Sequence, residues 1–327
     1  MLKSLDFLIY RARYSAEVAG PAILLLLSAI LLYSGVLFPQ ALPAGFSSAE
    51  QLLGQALLLI LTPPFLVTYL ILAQRRSIGF AERLVDSRLL TADPAEWLQS
   101  LRGRTVLIGT LTGFLFGLFM NLPLEWRSDF STLGIQIQSI AVGQIFLWSL
   151  VGLVLTYRLH TAICFYKTGK AVPIDLYETR KYSPFARNGL DDVFGITVLL
   201  VLATVQSLDV QFRLENYITA WVIAFPAGAS LLILPMLSLQ RRLLAHKKEF
   251  LAEMHRQVAD ASRVAEPDSL AQIELLMQHR DRIQHTSAWP IDLSIATRLI
   301  LYIIIPPLAW LGAAAVEVGL DRVLGSP

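Results

Sequence analysis

The chain has 327 residues, of which 55% are hydrophobic and only 16% charged, with a net charge of +2 and a mean hydropathy of +0.57. An ordinary soluble domain carries about 25% charged residues, so this composition excludes a water-soluble globular protein and points to lipid. A single cysteine, Cys164, excludes an intramolecular disulfide and a multi-cysteine metal site, and the small cationic excess gives no reason to expect nucleic acid.

Seven apolar runs follow one another: 19–38, 52–73, 105–122, 135–157, 193–208, 217–239 and 293–316. A helix needs about 20 apolar residues to cross the hydrocarbon, and most of the runs meet that. The first is longer than the apolar core of a signal peptide, and Ala41-Leu42-Pro43-Ala44 is a weak cleavage site, so the run reads as a span.

The second run carries Pro63 and Pro64 near its middle, and the seventh carries Pro306 and Pro307. Proline lacks an N–H and clashes with the preceding turn. Each doublet therefore frees two helix carbonyls, those of Leu59 and Ile60 in one span and of Tyr302 and Ile303 in the other. Inside a bilayer such carbonyls need a neighbouring donor, water or a permeating species. Interrupted helices that meet at the midplane are a recurring way to build a solute site.

After the second run, segment 74–104 predicts a short interfacial helix, capped by Asp93, with Pro94 in its first turn, Glu96 completing a capping-box pattern and Gly103 stopping it. The third run places Gly109, Gly113 and Gly117 on one helix face, a groove in which another backbone can lie. That stripe puts the third span at the centre of the bundle or at a subunit contact. The fourth run contains Gln144, with Gln136 and Gln138 at its outer end. Asn121 ends the third span, and Thr197, Thr204 and Gln206 mark the fifth. Gln144 reads as a cross-helix hydrogen-bonding group or as a pore-lining one.

Segment 158–192 is rich in aromatic and basic residues, among them Phe165, Tyr182 and Phe185, and is expected along the inner surface of the bilayer. Asp191 and Asp192 at its end read as first-turn acids of the fifth span or, more weakly, as ligands of a divalent cation. Pro-Ile-Asp-Leu occurs at 173–176 and 290–293, and Asp175 and Asp292 can cap helices beginning there. Residues 240–290 predict a cytosolic helical hairpin: Leu243, Phe250, Met254, Val258 and Ala261 form one stripe, Leu270, Ile273, Met277 and Ile283 another, with Pro267 breaking the chain between them. The stripes pair with each other, with a second copy, or with a partner protein.

The 27 Lys and Arg fall in alternate connections: 3 before the first run, 6 in 74–104, 6 in 158–192 and 8 in 240–290, with few elsewhere. Basic residues stay on the cytoplasmic face, so the N-terminus is expected inside and the C-terminus outside. The predicted architecture is an all-α integral membrane protein. Spans one to six fill 1–239, the cytosolic hairpin 240–290, and the seventh span with an outer tail 291–327. A bacterial cytoplasmic (inner) membrane with anionic headgroups is the expected setting.

Asp, Glu, Lys and His are absent from the depths of the spans, which argues against a proton pump or proton-coupled carrier. No catalytic residues and no cofactor are predicted, and neither His246 with His255 nor His279 with His285 has the spacing of a metal pair. The expected function is a passive conduit, a channel or facilitator for ions or small solutes, possibly oligomeric. A membrane-anchored sensor or scaffold acting through 240–290 is the alternative, and a lipid-modifying enzyme using segment 160–192 comes third.

Overall fold

The computed structural model describes residues 15–39, 43, 49–91, 93–99, 103–121, 134–207, 214–262, 267–285, 287, 289, 291 and 293–324. The protein is all-helical, 89% helix, with no strand among the described residues. In order the helices are α1 Ser15–Tyr33, α2 Ala49–Asp86, α3 Pro94–Gln99, α4 Gly103–Asn121, α5 Ile135–Ala171, α6 Ser183–Ala203, α7 Leu214–Ala261, α8 Pro267–His285 and α9 Leu293–Leu324. Short 3₁₀ turns, Thr179–Tyr182 and Thr204–Ser207, sit at the two ends of α6.

Among the described residues, five helices are long and apolar enough to cross a membrane: α1, α2, α4, α5 and α7. Three of them far exceed a bilayer. The 37 residues of α5 extend about 55 Å at 1.5 Å per residue, against a hydrocarbon thickness of about 30 Å. Helices α2, α5 and α7 therefore continue well past their apolar runs. Pro63 and Pro64 lie inside α2, which passes through them as one helix.

Pair contacts give the helix directions. Gln55 and Gln74 on α2 bond Gln144 and Thr161 on α5, so these two run parallel. On α7, Ser238 and Arg242 meet Tyr166 and Gly169 of α5 in the same sense. Helix α6 is antiparallel to α2, since Ser77 meets Asn188 and Tyr69 meets Asp192. Helix α4 is antiparallel to α5 along the glycine stripe. A Cβ on Gly113 would meet the Trp148 carbonyl and lie 3.1 Å from Cα of Gly152, and one on Gly117 would lie 3.0 Å from Cα of Ile145. The predicted groove is thus filled by α5. The expected central position is not found: α4 packs mainly on α5 and leaves Leu107, Ile108, Leu115 and Phe119 exposed, so its glycines serve one seam at the periphery of the bundle.

Two apolar cores are stacked along the helices. One joins α1, α2 and α5. The other joins the ends of α2 and α5 with residues 172–190, α7, α8 and the start of α9. This second core corrects the expectation for 158–192. Residues 158–171 continue α5 and 183–192 begin α6, so only the stretch between them is a connector. Phe165, Tyr182 and Phe185 are fully buried within it, because the helices extend beyond the apolar layer and need a core of their own. Tyr182 closes the connector, donating to the Pro173 carbonyl at 2.8 Å and accepting from the Asp175 amide at 2.7 Å. Asp175 caps no helix; it accepts from the Tyr177 amide in a local turn. The Lys181 ammonium, 2.8 Å away, and that amide hold its carboxyl below the usual range.

Helix α7 carries the sixth apolar run and the first arm of the predicted hairpin without interruption. Helix α8 folds back on it, with Lys247 donating to the Gln284 carbonyl at 2.8 Å, Leu243 and Ile283 buried, and Phe250 edge-on to Tyr177. Asp93 accepts from the Glu96 amide at the start of α3, as the capping pattern predicts. Asp292, and the side chains of Asn121, Gln206, Ala261, Leu270, Pro306 and Pro307, lie outside the described residues.

Candidate functional site

Between the two cores lies a buried polar cluster built from three helices. Arg158 of α5 is 1% exposed and Asp192 of α6 is fully buried. The Arg158 Nε donates to Asp192 Oδ1, Nη1 donates to Ser77 Oγ at 3.1 Å, and Nη2 donates to Asn188 Oδ1 at 3.2 Å. A guanidinium presents its donors as a rigid fork, and here each nitrogen has its own acceptor. Tyr69 donates its hydroxyl to Asp192 Oδ1 at 2.9 Å, and Ser77 Oγ lies 2.7 Å from Asn188 Oδ1. Thr161 adds a bond to Gln74, at 3.2 Å, one turn further along α5.

The local sequence explains the convergence. Asn188 and Asp192 are four apart on α6 and share one face. Gly195 continues that face, and a Cβ there would lie within 2.5 Å of Cε2 of the Tyr69 ring. Its absence lets the ring lie against α6 and place its hydroxyl on Asp192. Gly189 similarly admits α7, whose Leu232 carbonyl oxygen would lie 2.9 Å from an added Cβ.

This arrangement corrects the reading of Asp191 and Asp192. Helix α6 begins at Ser183, so the two acids sit in its third turn, and they take different arginines: Asp192 pairs with Arg158, and Asp191 lies 3.7 Å from the half-exposed Arg76. They do not converge on one cation. The ionisable groups at the ends of the apolar runs are also not all solvated by headgroups, since this pair is enclosed by helices. A basic residue directly after Tyr157 gave no sign of that. The one usable signal was the apolar face that continues through Ala162 and Phe165, which makes Arg158 a mid-helix residue.

On the side of the first core the cluster closes a cavity of about 500 Å³ between α2, α4, α5, α6 and α7. Its lining on α2 runs from Gln55 to Tyr69 and on α5 from Gln144 to Arg158, about 21 Å of each helix. Gln144, predicted as a polar group of the fourth span, donates its Nε2 to Gln55 Oε1 at 2.8 Å and lines the cavity. Thr62 also lines the cavity, 4% exposed, and its hydroxyl has no hydrogen-bond partner.

The other predicted site residues lie elsewhere. Leu59 and Ile60 are buried in the first core, with Leu59 against Gly143. The Tyr302 carbonyl, released by the Pro306 position, accepts from Thr197 Oγ1 of α6 at 3.1 Å. Ile303 is exposed. Neither Leu59, Ile60, Pro63, Pro64, Tyr302 nor Ile303 lines the cavity. No group of three or more His, Cys, Asp and Glu able to hold a metal is found among the described residues.

Compared with protein-family models, curated proteins and solved structures, the chain matches none.

Proposed function

We propose that the protein is a passive membrane conduit whose path is this cavity, closed at one end by the Arg158–Asp192 cluster. In this reading the chain has seven spans, with the N-terminus in the cytoplasm and the C-terminus outside, in a bacterial cytoplasmic membrane. The alternating helix directions support that topology. The observation that carries the function is an interhelical cavity, lined by the Gln55–Gln144 amide pair, above a neutralised ion pair. A carrier driven by proton or ion binding would use a titratable group open to the path. Here Arg158 and Tyr69, which line the cavity, are both committed to Asp192. Pro63 and Pro64 contribute helix geometry rather than cavity wall, since α2 is continuous and neither lines the cavity.

Reconstitution into liposomes tests the proposal. Solute efflux or current should exceed that of empty vesicles and fall when Val151, in the cavity wall, becomes Trp. Liposomes that stay tight to neutral and ionic solutes alike would overturn it.

A further inference from the structure

On the side turned away from the cavity, α6 leaves one of its faces uncovered. At about 100° per residue, Asn188, Asp192 and Gly195 point to α2, Gly189 and Ile196 to α7, and Phe194 and Thr197 to α9. The sector left between α9 and α2 holds Arg187, Asp191, Val198 and Leu202, none of them buried. Helices α2 and α9 both pack against α6 but scarcely against each other, so these four residues form the floor of a groove between them. Leu72 on α2 and Ile305 on α9 stand at its edges, each 40% exposed.

One end of the groove is basic and the rest of its floor is apolar. Around Asp191 stand Arg76 of α2, 3.7 Å away, Arg298 of α9, whose charge acts on the same carboxylate, and Arg187, exposed one turn earlier on α6. Three guanidinium groups thus surround one carboxyl. Arg158 and Arg242 commit their donors to acceptors within the fold. Arg76, Arg187 and Arg298 are exposed and make no hydrogen bond to a described residue. Leu72 lies one turn from Arg76, and Ile305 two turns from Arg298, so both edges follow the floor away from the charges. From Asp191 the floor reaches Leu202 in about 16 Å, at 1.5 Å per residue. One leaflet's share of the hydrocarbon is about 15 Å.

We infer that this groove binds one anionic phospholipid, with its phosphate between Arg76 and Arg298 and an acyl chain along Val198 and Leu202. A planar guanidinium fork matches phosphate oxygens in pairs. The surplus of positive charge favours an anionic headgroup over a zwitterionic one. The apolar floor, as long as one leaflet is deep, favours a lipid over a free phosphate. Bound there, the lipid ties α2 to α9 across α6. None of the floor residues lines the cavity, so the inference is independent of the conduit.

The test is native mass spectrometry of the full chain in detergent, supplied with equal amounts of phosphatidylglycerol and phosphatidylcholine. One phosphatidylglycerol should stay bound per chain, in about tenfold excess over phosphatidylcholine. Arg76→Gln combined with Arg298→Gln should abolish that preference. Arg298→Lys, which keeps the charge and loses the fork, should lower it about threefold. Val198→Trp, in the floor, should lower retention of both lipids about tenfold. Lys167→Gln combined with Lys170→Gln removes the same charge from exposed positions on α5 and should change nothing. Unchanged unfolding midpoints establish that the variants are folded, and Arg298→Lys with Val198→Trp decides the matter if the double glutamine variant at the groove unfolds. A wild-type chain that keeps no phosphatidylglycerol would overturn the inference. So would an equal loss in the Lys167, Lys170 control, which would reduce the effect to general attraction by the basic face. Full displacement of the lipid by soluble glycerophosphate, with Val198→Trp silent, would overturn it too and assign the arginines to a free phosphate.

Discussion

Arg158 shows how a charged side chain can be withdrawn from both water and headgroups. Each of its three nitrogens meets an acceptor, and its charge meets Asp192 in full burial. Such a pair gives little net stability over an apolar replacement, but breaking it by removing one partner costs about 3–5 kcal/mol. Asp192→Asn keeps the shape and strands the guanidinium, so its unfolding midpoint in detergent should drop by an amount corresponding to that loss. The double variant Arg158→Leu, Asp192→Leu strands no charge, only the Tyr69 hydroxyl and the Ser77–Asn188 pair without their ionic partners, and should recover most of it. Arg158→Lys should not rescue, because one ammonium cannot reach Asp192, Ser77 and Asn188 as a planar fork does. Equal losses in the single and double variants would show that the hydrogen-bonded network, not charge pairing, is what stabilises. Beyond the apolar face that continues past Arg158 through Ala162 and Phe165, none of this was legible in the sequence. Arg158 and Asp192 are 34 residues apart, and each stands at the end of an apolar run, where the general rule assigns it to the headgroup layer.

At the scale of helices, the glycine stripe was legible because it repeats every four residues. Its counterpart Gly152, and the single glycines 189 and 195 that admit α7 and Tyr69, were not, because an isolated glycine has no period to betray its neighbour. Gly113→Ala should open the α4–α5 seam, since its Cβ has no room between the Trp148 carbonyl and Gly152. Overpacking of this kind costs about 1–3 kcal/mol. Helix α4 packs mainly on α5, so the loss should appear as faster amide exchange within 103–121 while α2, α5 and α6 keep their protection. Gly79→Ala is the control, because nothing lies within 4 Å of a Cβ there. Exchange that rises equally in every helix would show α4 to be part of one cooperative unit. The capping signal at Asp93 and the hairpin stripes were readable for the same reason as the glycines: both are local patterns of one helix. Where α5 and α6 ended was not. Their apolar runs stop at 157 and start at 193, while the helices continue past these limits to bury the second core.

At the scale of the whole molecule, the two stacked cores and the alternation of basic residues meet in one argument. Helices α5 and α7 run parallel, so the chain between them must return along the bundle, and α6 does so while lining the cavity from Gly195 to Ala203. Helix α6 is therefore a crossing element in the proposed topology even though its described apolar part is short. Its first half, Ser183 to Asp192, is packed in the second core, with Phe185, Ala186 and Asn188 buried. The same parallel pairing of α2 and α5 requires α4 to return between them, and it does. Charge alternation and helix direction are independent, since one comes from lysines and arginines in the connections and the other from side-chain pairs inside the bundle. Their agreement makes sidedness the decisive measurement. In a Cys164→Ser background, Ser128→Cys and Ser326→Cys should react with a membrane-impermeant maleimide from outside intact cells. Ser4→Cys and Ser287→Cys should react only in inverted vesicles. Reaction of Ser4→Cys and Ser326→Cys from the same side would give an even number of crossings and refute the seven-span topology, leaving α9 on the surface of the bundle. Reaction of Ser287→Cys from outside would instead invert α7, placing the α7–α8 hairpin and the Arg158–Asp192 floor at the external end of the cavity.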